Sequence, residues 1–102
     1  MNTVASFTIG YRQVLDPEGR IVDALPEFAR DPAVLVDLYQ RMSFTRVFDG
    51  KAVALQRTGK LGTYASCLGR EATYMAIGSA MQEDDSFACS YREYGAQFHR
   101  GV

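Results

Sequence analysis

The sequence predicts a mainly α unit entered through an extended N-terminal arm. Three observations carry that reading. Apolar residues recur at spacings of three and four from Val34 to Leu55, with Asp31-Pro32 in front and Gly59 behind. A second helical stretch opens near Gly69-Arg70-Glu71, and Ser90-Tyr91-Arg92-Glu93 has the form of a capping box ahead of a third. Residues 1–30 make the arm, and residues 31–102 an incomplete part of a larger domain.

Taken in order, Asp16-Pro17-Glu18-Gly19 suits a type I turn, with Asp first, Pro second and Gly fourth. A loose hairpin around that turn is expected. Asp31 can cap free amides and Pro32 fits the first helical position. Leu35, Leu38, Met42, Phe44, Phe48, Ala52 and Leu55 then draw one apolar stripe. Gly50 costs on the order of 1 kcal/mol relative to Ala in a helix, which makes it the place for a break or bend. Gly59 stops the helix, with Arg57 and Lys60 near its negative end. In the second helix Ala72, Met75, Ala76, Ser79 and Ala80 form a face of mostly small residues suited to close packing. Glu83-Asp84-Asp85 ends it, Phe87-Ala88-Cys89 reads as a brief buried strand, and Tyr94, Phe98 and His99 ride on the third helix.

Bulk properties exclude more than they assign. With 11 basic and 12 acidic side chains, a net charge of −1 gives no general pull toward nucleic acid or an anionic membrane. No apolar run reaches bilayer length, and Met1–Phe7 lacks the pattern of a signal peptide, so a cytoplasmic location is expected. The long helix mixes Asp37, Arg41, Arg46, Asp49 and Lys51 on its charged face, which favours water over a membrane surface. Cys67 and Cys89 have neither Cys-x-x-Cys spacing nor a histidine cluster nearby, and they read as reduced thiols in or near a core.

One pair of residues suggests chemistry. If Ser90 caps a helix, Tyr91 and Arg92 occupy its first turn, where free amides and the dipole favour an anion. Arg92 can grip phosphate oxygens through parallel bonds and Tyr91 can add a hydroxyl donor. Glu93 places a negative charge in the same turn. No catalytic residue and no metal ligand is assigned. His99 has no matching nucleophile or carboxylate and reads as a packing residue, and the acidic triplet lacks calcium-loop spacing. Gly59-Lys60-Leu61-Gly62 has neither a Walker nor a dinucleotide spacing.

Four phrases in order resemble a known family. They are Asp37–Met42, Thr45–Tyr64, Gly69-Arg70-Glu71-Ala72, and Tyr91-Arg92-Glu93-Tyr94-Gly95 followed by Arg100-Gly101. Together they resemble the alpha subunit of thiamine-diphosphate-dependent 2-oxo acid dehydrogenases, from about position 30 to the end. The resemblance implies the N-terminal part of an α/β thiamine-diphosphate-binding fold. It further implies oxidative decarboxylation of a 2-oxo acid, with acyl transfer to lipoyl groups. The implied cofactors are thiamine diphosphate and magnesium, the metal ligands lying beyond Val102. The implied partners are a beta subunit in an α2β2 tetramer and the lipoyl domain of the acyltransferase component. By matching position, Tyr91 and Arg92 are the pair on the diphosphate side of the cofactor, and Arg92→Lys is expected to hurt because an ammonium lacks the planar fork.

The arm, with Phe7-Thr8-Ile9-Gly10-Tyr11, favours the pyruvate type, which feeds acetyl-CoA formation after glycolysis. The branched-chain (2-oxoisovalerate) type and a non-catalytic interaction fragment are the alternatives. Arg70 stands where many relatives carry Gln. A chain of these 102 residues alone is expected to be inactive, because the family's magnesium-binding segment is not among them.

Overall fold

The computed structural model describes all 102 residues and divides into two compact units, Met1–Asp31 and Pro32–Val102. In the first unit the expected turn is present. The Gly19 amide donates to the Asp16 carbonyl at 3.0 Å, and Gly19 takes φ +79°, a conformation open to glycine at no steric cost. The Asp16 carboxylate accepts the Glu18 and Arg20 amides at 3.0 and 2.8 Å. Leu15 and Ile21 face each other in a single antiparallel bridge, beside a 2.9 Å bond from the Val22 amide to the Val14 carbonyl. One bridge is the whole of the pairing, so the arm is a loose hairpin. A single 3₁₀ turn, Glu27–Arg30, closes the unit.

The second unit holds three helices: α1 (Pro32–Arg57), α2 (Glu71–Ala80) and α3 (Tyr94–His99). The chain is therefore mainly α, as its periodicity predicts. Phe87-Ala88-Cys89 is not a strand. Its residues alternate half-buried and exposed, but no second strand lies beside it to complete a ladder, and an unpaired three-residue run gains nothing from β geometry.

Helix α1 begins with Pro32 in its first position, after Asp31 in extended conformation. Its 26 residues span roughly 39 Å. It runs through Gly50 without interruption. The penalty for one exposed glycine is too small to break a helix pinned on both sides of it by packing. At the C-terminus the Lys60 amide donates to the Leu55 carbonyl at 2.9 Å and the Gly59 amide to Gln56 at 3.0 Å, with Gly59 at φ +73°. That is the Schellman arrangement, and it confirms Gly59 as the stop.

The buried faces differ from those the sequence suggests. On α1 the innermost positions are Thr45, Asp49 and Ala52, while Phe44 remains 57% exposed. The seam runs Leu38, Met42, Thr45, Asp49, Ala52 in alternating steps of four and three. Phe44 and Phe48 flank it, meeting the Phe98 ring edge-on at centroid distances of 5.3 and 4.8 Å. On α2 the inner face is Glu71, Tyr74, Met75 and Gly78, and the small residues Ala72, Ala76, Ser79 and Ala80 face water. Larger side chains win that face because Tyr74 and Met75 remove more apolar area from water than alanines do. Close approach survives at Gly78 and Gly95. A Cβ on Gly78 would lie 2.9 Å from His99 Cβ, and one on Gly95 3.0 Å from Met75 Cε. Cys67, Tyr74 and Ala96 form the core, with Phe87 and Tyr94 packed against it.

Candidate functional site

Asp49 organises the loop between α1 and α2. Its side chain sits at a residue exposure of 3% and accepts three hydrogen bonds: Tyr64 Oη at 2.8 Å, Ser66 Oγ at 2.6 Å and the Cys67 amide at 2.8 Å. Burial pushes the carboxyl up, but the bonds from Ser66, Cys67 and Tyr64 together outweigh it and hold Asp49 below its ordinary value. Burial and the same carboxylate push the Tyr64 hydroxyl well above its ordinary value. Sequence reading put Asp49 on the charged, watery face of α1. Its place on the four-and-three seam, four residues after Thr45 and three before Ala52, was the signal that it points inward. A second tie joins the helices, as Arg46 Nε donates to the buried Glu71 carboxylate at 2.9 Å.

Tyr91 and Arg92 lie just ahead of α3, not in its first turn. The bonds made here are not the reciprocal pair expected of a capping box. Ser90 Oγ donates to the Glu93 carboxylate at 2.9 Å, and that carboxylate accepts the Arg92 amide at 3.2 Å. The helix starts at Tyr94, with no side-chain cap on its free amides. The argument from a first helical turn therefore does not hold, because Glu93 binding to the Arg92 amide bends the chain at residues 91 and 92.

What the structure supplies at these residues is a held guanidinium. Arg92 Nη1 donates to the Ser66 carbonyl, and Arg92 Cζ stands 5.2 Å from the centre of the Tyr91 ring. Tyr91 is 63% exposed. Two residues on, the Tyr94 ring stacks on Tyr64 at 5.3 Å and 17°. The segment is thereby tied to the loop at two points.

A guanidinium fixed along one edge keeps N–H donors for oxygens of an anion, and a neighbouring phenol adds another. This donor set fits a phosphate group. It does not provide a metal site, as no group of three or more His, Cys, Asp or Glu side chains converges anywhere in the chain. Three shallow clefts lie elsewhere. The largest, about 290 Å³, is bordered by Tyr39, Met42, Ser43, Arg46, Val47 and Glu71, and none of the three includes Tyr91 or Arg92. Arg70 extends toward the Tyr74 hydroxyl at 3.4 Å. His99 is half-buried in packing, its Nδ1 without a partner.

Both cysteines are free thiols, Cys67 fully buried and Cys89 half-buried. Burial first, then the Asp49 carboxylate, pushes the Cys67 thiol up to about 11. Iodoacetamide at pH 8 is therefore expected to label Cys89 at least about tenfold faster than Cys67. Peptide mass spectrometry over time reads this directly, and equal rates would contradict the burial of Cys67.

The comparisons with known proteins follow the same segments. The family described as "Dehydrogenase E1 component" matches residues 39–102, more than half of the chain. Proteins named pyruvate dehydrogenase E1 component subunit alpha, from Staphylococcus epidermidis and Staphylococcus aureus, are each 36% identical over 83 residues. Those matches take in 79% of this chain and 22% of each relative, so the chain spans about a fifth of their length. No solved structure matches it. The ordered phrases from α1 through Arg92 and the match over residues 39–102 agree, and the chain belongs to the dehydrogenase E1 component family.

Proposed function

We propose that this chain is the N-terminal part of a pyruvate dehydrogenase E1 alpha subunit, in which Tyr91 and Arg92 hold the diphosphate of thiamine diphosphate. The observation that carries the reading is the Arg92 guanidinium, anchored at one edge by the Ser66 carbonyl with its other donors left for an anion. The name of these relatives supports pyruvate over a branched-chain substrate. Thiamine diphosphate supplies the electron sink for decarboxylation when bound. On this side of the cofactor, Arg92 would neutralise phosphate charge and orient the group, and Tyr91 would donate its hydroxyl. Magnesium would be held by residues outside the 102 described here. A beta subunit would complete the site, and a lipoyl domain would receive the acyl group. A cytoplasmic location accords with the two free thiols, and no helix is long and apolar enough to cross a membrane.

The test is an E1 assembly in which these residues replace the matching segment of the Staphylococcus aureus alpha subunit, combined with its beta subunit. Arg92→Lys is expected to raise the thiamine diphosphate concentration for half-maximal activity about tenfold, because the planar two-bond grip is lost. Tyr91→Phe is expected to raise it about threefold, the loss of one exposed hydrogen bond. Unchanged cofactor dependence in both variants would remove the pair from the site.

A further inference from the structure

We propose that Asp49 is the positioning residue of Arg92, acting through the single peptide group between Ser66 and Cys67. This inference rests on the reading of Arg92 given above, and its chain of contacts is independent of any bound group. The Cys67 N–H of that peptide donates to Asp49 Oδ1 at 2.8 Å, and its carbonyl, on Ser66, accepts Arg92 Nη1. The chain has no cis peptide, so the N–H and C=O of this planar unit point in opposite directions. A carboxylate on one side and a guanidinium on the other polarise the same peptide in the same sense, and each bond strengthens the other.

The remaining contacts of Asp49 fix the orientation of that plane. Ser66 Oγ, on the residue that owns the carbonyl, donates to Asp49 Oδ2 at 2.6 Å. Tyr64 Oη donates to Oδ1 at 2.8 Å, and the Tyr64 ring stacks on Tyr94, two residues beyond Arg92. A rotation of the peptide that freed the Ser66 carbonyl from Arg92 would break the Cys67 bond to Asp49 as well. The α1 seam thus sets where the guanidinium stands, from a residue that touches neither Tyr91 nor Arg92 directly.

The experiment follows guanidinium N–H exchange in the full chain by nitrogen-15-edited NMR, with Arg46 as the internal reference because it is held by the Glu71 carboxylate and not by the Ser66 carbonyl. In Asp49→Ala the Arg92 protons are expected to exchange about tenfold faster, with Arg46 within about twofold of wild type. Asp49→Asn keeps an oxygen for the Cys67 amide and removes the charge, so Arg92 exchange should rise only about threefold, a rescue by the conservative change. Should Asp49→Ala not fold, Asp49→Asn decides on the same signals. Unchanged Arg92 exchange, or equal acceleration at Arg46 and Arg92, overturns the proposal. The readout involves no cofactor. A failure here leaves the diphosphate reading standing, and unchanged cofactor dependence of the Arg92→Lys assembly sinks that reading without touching this result.

Discussion

Asp49→Ala is expected to lower the stability of the chain by about 3 kcal/mol in urea unfolding at pH 7. The change removes the acceptor of three donors at once. Two of them, the Ser66 and Tyr64 hydroxyls, can turn toward other acceptors or water. The buried Cys67 amide cannot, and an unpaired amide costs the full price of its lost hydration. Asp49→Asn should cost only about 1 kcal/mol, since its amide oxygen can keep Tyr64 and Cys67 while its NH₂ faces Ser66 Oγ. The pH dependence has a definite sign. The folded Asp49 carboxyl lies below its ordinary 3.8, so its contribution is present above that pH and is lost as pH falls through the lower folded value. Wild type should therefore lose more stability than Asp49→Asn as the pH falls from neutrality to below the ordinary 3.8. Parallel acid curves for the two proteins would show that the charge of Asp49 contributes nothing.

Gly78→Leu is expected to cost about 3 kcal/mol, and Gly78→Ala about 1 to 2 kcal/mol, by overpacking the contact between α2 and α3. The first atom added would stand 2.9 Å from His99 Cβ and 3.1 Å from the Ala96 carbonyl oxygen. Neither atom is the end of a flexible side chain, so relief requires α3 to move as a body. Both residues recover roughly 1 kcal/mol of helix propensity over glycine, so the larger cost of leucine comes from its extra bulk. Thermal melts followed by far-ultraviolet circular dichroism would measure both. The effect should reach residues 91–93 too, because α3 begins directly after them at Tyr94. A stabilised Gly78→Ala would show that propensity exceeds the steric cost and that the helices have room to separate.

Sequence alone determined the local features whose causes are local. The turn at Asp16–Gly19, the start of α1 at Pro32, its end at Gly59 and the approximate places of α2 and α3 follow from dihedral preferences and hydrogen bonds a few residues apart. The ordered phrases that mark the family are likewise legible residue by residue. Faces and partners were not. Periodicity weighs residues by their apolarity, so it favoured Phe44 over Thr45 and counted Asp49 among the solvated charges. A polar side chain takes an inner position when the fold brings donors to it, and those donors came from residues 15 to 18 positions later in the chain. The same holds at Arg92. Its type and neighbours suggested an anion site, but a first helical turn was the wrong support for it. The guanidinium is held by a carbonyl 26 positions earlier, reachable only because the loop after α1 folds back over Asp49. Bonds between distant residues depend on loop closure, and no spacing rule along the chain encodes which loop closes on which helix.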